Sequence, residues 1–213
     1  MIPRFASIWI LLLSVVVGPL AAAQKVERRG ALSGVSDALR QSVEDTSYRV
    51  TLEGGWTAEF WFVKQLKIEK KESAGALYPE LGDGEFVGVV NLSQAMTDYR
   101  GQNIAAGTYT LRYQALPQDG NHLGVAPNPD FLLAIPAASD SAPELSYPYK
   151  KLVALSAKST GTNHPAVIAL DNAGNASTVT KNERGDTVFS VGIKTDQGAT
   201  EKIGIILKGT AAQ

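Results

Sequence analysis

The chain has 213 residues, with 20 Lys+Arg against 21 Asp+Glu, two His and no Cys, and 44% of its residues are hydrophobic. That composition excludes disorder, collagen-like repeats and any disulfide or thiolate–metal framework. The near-neutral balance argues against a dedicated nucleic-acid binder, because phosphate contacts need clustered Lys and Arg.

Arg4 forms a short basic region ahead of the apolar run Ile8–Val17, which Gly18-Pro19 breaks. Ala21-Ala22-Ala23 follows with the small-x-small pattern that signal peptidase cuts, so residues 1–23 read as a signal peptide cleaved before Gln24. The apolar run falls short of the ~20 residues a span requires. No later stretch reaches that length, so no membrane span is expected after cleavage. The expected localisation is periplasmic or extracellular. Export usually favours disulfides, and here none can form, so stability must come from packing and backbone hydrogen bonds.

Residues 24–33 are polar and basic and read as a flexible leader to one domain over 34–210. Val35, Ala38, Leu39 and Val43 recur at helical spacing, with Ser33 or Ser36 as N-cap. Such a short helix needs a tertiary partner. From Thr46 the period becomes two: Tyr48, Val50 and Leu52 alternate with polar residues, and Trp56, Ala58, Phe60 and Phe62 continue beyond Gly54-Gly55. A two-residue Gly-Gly turn would put the two apolar sets on opposite faces. A three-residue loop, Glu53-Gly54-Gly55, pairs Leu52 with Trp56, Val50 with Ala58 and Tyr48 with Phe60, with Gly55 in the left-handed region; burial selects that register.

Phe86–Leu92 is apolar at nearly every position and reads as a strand covered on both faces. Further strands are expected around Tyr109–Tyr113, Phe131–Ile135 (ended by Pro136), Val167–Leu170, Phe189–Ile193 and Ile203–Leu207, with Asp196-Gln197-Gly198 as the last turn. A second helix is expected from Pro148 to Ala157, preceded by Ser146 or Tyr147, with Tyr149, Leu152, Val153 and Leu155 as an apolar stripe. Lys64, Lys67, Lys70 and Lys71 suggest a solvated edge strand. Eight or nine strands with glycine-rich turns and one or two short helices define a mainly β protein. The expected architecture is a single antiparallel β-sandwich, with a small β-barrel as the alternative.

Three segments carry a family resemblance. Tyr99-Arg100-Gly101-Gln102 with the AGTYTLRY stretch Ala106–Tyr113, then Asp119-Gly120-Asn121-His122-Leu123-Gly124-Val125 ahead of Asp130–Leu133, then Gly161-Thr162-Asn163-His164-Pro165-Ala166-Val167, resemble motifs of uncharacterised exported bacterial β-sandwich proteins. The resemblance implies an exported β domain of unknown function and carries over no catalytic role to any residue.

The two histidines, His122 and His164, each follow an asparagine in a polar loop. The first loop, Pro117–Pro129, is long for a compact domain. Should the two loops meet, His122 and His164 with Asp119 or Asp130 form a ligand set for Zn or Cu; the plainer reading is that each histidine braces its own loop, and no cofactor. No Gly-x-Ser-x-Gly elbow and no phosphate-cradling glycine spacing occur. The carboxylate pairs Asp98/Glu85 and Asp119/Asp130 match no motif. Trp61 alternates to the face opposite Trp56, where it either stacks on a ligand or is covered by the 35–43 helix, and the cover is favoured. Tyr99, Arg100 and Tyr113 are candidates for a polar-aromatic patch. The leading expectation is therefore a non-catalytic exported module that binds an unknown envelope component or glycan, with Trp61, Tyr99, Arg100, Asp119, Asn121, His122 and His164 as candidate binding residues. The contrasting readings are a metal protein built on His122, His164 and Asp119, and an accessory component of an envelope complex.

Overall fold

A computed structural model describes residues 24–69, 75–117 and 126–209. The signal-peptide segment 1–23 and the residues Asp119, Asn121 and His122 lie outside the described residues.

The first surprise is at the N-terminal end. Where a flexible leader was expected, Lys25–Arg28 forms strand β1 and pairs antiparallel with β2 (Tyr48–Thr51). Val26 packs against the core, Glu27 bridges to Lys25 and Arg29, and Arg28 lies over the Tyr48 ring at 4.0 Å. Four charged-rich residues carry too short an alternation to be read as a strand, yet charges are what an edge strand displays.

β2 turns into β3 (Thr57–Phe62) through a single 3₁₀ turn at Glu53–Gly55. The register is the expected one: Tyr48 faces Phe60, Val50 faces Ala58, and the Leu52 N–H donates to the Trp56 carbonyl at 2.9 Å. Both Gly54 (φ 82°) and Gly55 (φ 79°) are left-handed, so the turn needs two glycines rather than one.

The remaining strands are β4 (Phe86–Leu92), β5 (Met96–Thr97), β6 (Asn103–Ile104), β7 (Gly107–Ala115), β8 (Asp130–Pro136), β9 (Ala166–Asp171), β10 (Thr178–Lys181), β11 (Thr187–Lys194) and β12 (Thr200–Lys208). Ten of them form one antiparallel sheet in the order β1-β2-β3-β4-β7-β8-β9-β12-β11-β10, and β5–β6 is a separate hairpin. The edge strands β1 and β10 come within 8 Å Cα–Cα of each other, so the sheet nearly closes. The mainly β expectation holds in its barrel form. The two edges thus face each other across the gap instead of lying at opposite ends of an open sheet.

The seam between β9 and β12 explains why the molecule keeps a sandwich-like interior. Only Gly204–Asp171 and Ile205–Leu170 are paired there, joining a seven-stranded sector to the three-stranded sector β12-β11-β10. Inward side chains of both sectors meet in one cluster. Phe60 of one and Phe189 of the other have ring centroids 5.4 Å apart, with Phe62 and Tyr48 completing the aromatic centre.

Outer faces are covered too. Helix α1 (Asp37–Ser42) lays Leu39 over Trp61, Phe86 and Val89. Its N-cap is Ser36, whose Oγ accepts the Leu39 N–H at 3.3 Å and donates to the Ser141 carbonyl at 2.9 Å. Ser36→Ala is expected to cost ~1 kcal/mol, read as a lowered urea midpoint; an unchanged midpoint would remove the cap from the account. Helix α2 (Tyr149–Thr160) covers Phe131, Leu133, Ile135 and Val167. The stripe expected on α2 needs correction. Its buried face is Leu152, Ser156 and Ser159, and both serine hydroxyls donate to the Ala134 carbonyl at 2.8 Å. The Lys64–Lys71 run is likewise not an edge strand where described: Leu66 N–H bonds to the Lys194 carbonyl and Asp196 N–H to the Leu66 carbonyl, tying a bridging segment to the β11–β12 turn.

Candidate functional site

The β2–β3 turn, the start of β1, the β10–β11 turn and the end of β12 meet at one end of the barrel, and the β5–β6 hairpin borders it. Between them lies a cavity of about 360 Å³. Barrel mouths are a preferred place for small-molecule sites. The apolar part of the wall is Leu52, Trp56, Met96 and Leu207. Leu52 and Leu207 are buried, while Trp56 and Met96 are half-buried and lean on the inner core. Trp56 is there because the three-residue turn puts it inward, at the last position before the barrel ends. Its indole N–H is removed from solvent and has no acceptor, an arrangement that proteins seldom leave uncompensated.

The polar part of the wall is set by a β-bulge. Regular alternation along β12 points Ile203, Ile205 and Leu207 inward and would turn Lys208 outward. The register shift at Thr187/Val188 instead pairs Thr187 with Lys208 while Val188 pairs with Ile206. Thr187 also pairs with Lys181 on its other side. Lys181, Thr187 and Lys208 therefore form a row across three adjacent strands, and all three line the mouth. Bulges commonly re-aim a side chain in this way. Lys181 Nζ donates to Thr187 Oγ1 at 2.8 Å.

Trp61 is placed as the favoured reading expected. It is 7% exposed beneath the α1 cluster, and its Nε1 donates to the Gly30 carbonyl at 2.9 Å. Beside it, Arg49, Glu59, Asn91 and Thr108 stand directly opposite one another across four strands. Glu59 accepts from Arg49 Nη2 at 2.6 Å and from Ser47 Oγ at 2.5 Å, and Asn91 donates to Thr108 at 2.9 Å. The row is internally satisfied.

The Tyr99–Gln102 motif is a turn device. Asp98 Oδ1 accepts the N–H groups of Arg100 and Gln102 at 3.0 and 2.8 Å, and Oδ2 accepts Gln102 Nε2 at 2.7 Å. With both oxygens engaged and the residue 1% exposed, Asp98 cannot pair with Glu85 in acid–base work. The expected patch of Tyr99, Arg100 and Tyr113 is not formed. Tyr99 packs on the outer face against Ala169, Val188 and Ile206, Tyr113 lies inside the barrel, and Arg100 is exposed.

Gln102 also links two of the motif segments, donating to the Pro165 carbonyl at 3.2 Å and accepting from Thr162 Oγ1 at 3.4 Å. In the Thr160–Pro165 loop the bracing comes from threonines rather than imidazole. Thr160 Oγ1 donates to the His164 carbonyl at 2.8 Å, Thr162 Oγ1 accepts the His164 N–H at 3.0 Å, and His164 is exposed. The described stems of the Pro117–Pro129 loop are anchored elsewhere. Leu116 N–H donates to the Pro129 carbonyl at 2.6 Å and Asn128 Nδ2 to the Leu170 carbonyl at 2.8 Å, at the end of β9 opposite His164. Asp130 is fully buried, and its Oδ2 accepts the Tyr78 N–H and the Tyr113 hydroxyl. Among the described residues no group of three His, Cys, Asp or Glu is placed to hold a metal ion.

A second cleft, about 600 Å³, lies outside the barrel between α1, the 82–86 turn and the 143–146 loop. Burial raises the Glu85 carboxyl above its usual range, with the Lys67 backbone N–H and the charge of Lys67 opposing the shift. Asp83 in the same wall already accepts the Ala115 N–H at 3.0 Å.

Comparison of the chain with family models, with curated proteins and with solved structures yields no match. The mouth residues were not among those singled out from the sequence. The alternation puts Trp56 inward with the core residues, and the one sequence signal that it lines a mouth is its position beside a turn. Nothing local marks Lys181 and Lys208, because a bulge brings them into one row.

Proposed function

We propose that this chain is an exported, non-catalytic β-barrel protein that binds a component of the cell envelope or its surroundings in the barrel mouth. The observation that carries the reading is a concave end wall in which half-buried Trp56 and Met96 stand beside the row Lys181, Thr187 and Lys208. Export rests on the residue 1–23 pattern. The first strand begins at Lys25, so cleavage before Gln24 would leave the whole sheet intact. Kinship with exported β-sandwich proteins rests on the three motif segments alone. An accessory component of an envelope complex would be favoured by an exposed apolar patch centred on Trp61. Trp61 is covered, and Leu145 is the exposed large apolar side chain among the described residues.

Two measurements test the proposal. N-terminal sequencing of the exported protein should begin at Gln24, and retention of residues 1–23 would refute cleavage. Titration of the processed protein with envelope glycans, lipids and peptides should give at least one binder that quenches Trp56 fluorescence, using Trp56→Phe as the control. Binding that persists unchanged in Trp56→Ala would move the site away from the mouth. A panel with no binder would sink the reading.

A further inference from the structure

We propose that the ligand of the barrel mouth is a small organic anion with an apolar body, a carboxylate carried on a hydrocarbon chain or ring. The inference rests on the reading of the mouth as a binding site and adds the chemistry of what it takes.

Three features of the wall converge on that class. First, Leu52, Trp56, Met96 and Leu207 supply the large apolar side chains of the lining, at the end of the inner core, and contact with them rewards removal of hydrocarbon from water. Secondly, the charged groups of the lining are Lys181, Lys208 and Glu53, two cations against one carboxylate. The lysines flank Thr187 on neighbouring strands, about 10 Å apart at the backbone given strand spacings of ~4.8 Å, so their flexible stems can close on one acid group. No ion pair occupies either lysine among the described residues, since Lys181 rests on a neutral hydroxyl. Thirdly, the bulge that re-aims Lys208 has an effect that regular pairing would not produce: it adds the second cation to the mouth instead of leaving it on the outer face.

A neutral amphiphile would use the apolar wall and leave the lysines idle, and a cation would be repelled by them. The test is isothermal titration of the processed protein with octanoate, octanol and octyltrimethylammonium, accompanied by Trp56 fluorescence. Octanoate is expected to bind at least about tenfold more tightly than the other two, a difference of the size one charge contact supplies, and to weaken with added salt. The double variant Lys181→Gln/Lys208→Gln should lose about tenfold in octanoate affinity with its octanol affinity and urea midpoint unchanged, because both lysines are exposed. Glu53→Gln should tighten octanoate. Equal or better binding of the alcohol or the cation would overturn the proposal, as would octanoate binding that survives the double variant. If none of the three probes perturbs Trp56 while another envelope component does, the anion class is wrong and the mouth reading stands. If nothing perturbs Trp56, both fall.

Discussion

Asp140→Ala is expected to lower stability by ~3–5 kcal/mol, the range for removing one partner of a buried ion pair. Arg112 and Asp140 are 1% and 0% exposed, and the guanidinium meets the carboxylate through two bonds, Nε to Oδ2 at 2.7 Å and Nη2 to Oδ1 at 2.8 Å. The remaining donors go to backbone carbonyls, Gly84 and Leu145 from Nη1 and Ala142 from Nη2. All five N–H groups that an arginine carries are thus engaged, and Thr110 adds a bond to Asp140 at 2.7 Å. The pair fastens the 137–148 loop over the outer face of β7, with the guanidinium 5.0 Å from the Tyr147 ring. Loss of Asp140 strands a buried cation whose neighbours are carbonyl oxygens and rings, and none of them can take its charge. Arg112→Met/Asp140→Leu should lose less than Asp140→Ala, since it removes both charges and costs the Gly84 and Leu145 carbonyls their guanidinium bonds, while the Ala142 carbonyl keeps the Leu145 N–H and the Thr110 hydroxyl keeps the Ile135 carbonyl. Urea unfolding at neutral pH measures both. A loss below ~1 kcal/mol for Asp140→Ala would mean that water reaches the pair.

Which parts of this architecture the residues announce, and which they hide, follows from the range of the interactions. The β2–β3 hairpin was legible down to its register because period two and burial leave one solution: sliding by a single residue would have turned Phe60 away from Phe189. Phe86–Leu92 was legible as a strand covered on both faces, and it is: Val87, Val90 and Leu92 face the interior while Phe86 and Val89 lie under α1. The Ser36 cap and the helix over Trp61 were legible because a short amphipathic helix beside an outward tryptophan has few other partners. Long-range decisions were hidden. Nothing local says that Lys25–Arg28 will find β2, that ten strands will join through two residue pairs at Gly204–Asp171 and Ile205–Leu170, or that Ser156 and Ser159 will face the sheet to cap the Ala134 carbonyl. The Arg112 network was hidden for the same reason: an arginine in a Thr-x-Arg alternation reads as solvated until a loop 28 residues away supplies Asp140. The candidate site was the least legible part. It is assembled from strand ends, and its second lysine is aimed by a bulge.

The seam supplies the other large prediction. The Gly204 N–H donates to the Tyr78 hydroxyl at 2.8 Å, and that hydroxyl donates to the Asp171 carbonyl at 2.6 Å, so a side chain bridges two opposed residues of β12 and β9. Gly204 must be glycine here, because a Cβ would lie 2.6 Å from the Asp171 carbonyl oxygen. Tyr78→Phe keeps the ring and removes the bridge, leaving a buried donor and a buried acceptor unpaired. The expected cost is ~2–4 kcal/mol, measured by urea unfolding at pH 7, and a loss within ~0.5 kcal/mol of zero would show that the seam closes without the hydroxyl. The same phenol gives the prediction a second, pH-dependent edge. Burial pushes the Tyr78 hydroxyl up to about 12 from its ordinary value near 10, the bond from the Gly204 N–H opposing the shift and the charge of Asp130 adding to it. Below pH ~10 both folded and unfolded chains hold the proton, and the contribution is fully present. Between pH ~10 and ~12 the unfolded chain releases it first, so stability falls with rising pH, by roughly 2–3 kcal/mol in all for this group. Burial and the neighbouring Asp130 raise the Tyr113 hydroxyl in the same direction, which steepens the decline. Tyr78→Phe lacks the Tyr78 share, so the stability gap between variant and parent should narrow as pH is taken from 9 to 11.5. A gap that stays constant across that interval would place the Tyr78 proton in an ordinary, solvated setting and remove the buried bridge from the seam.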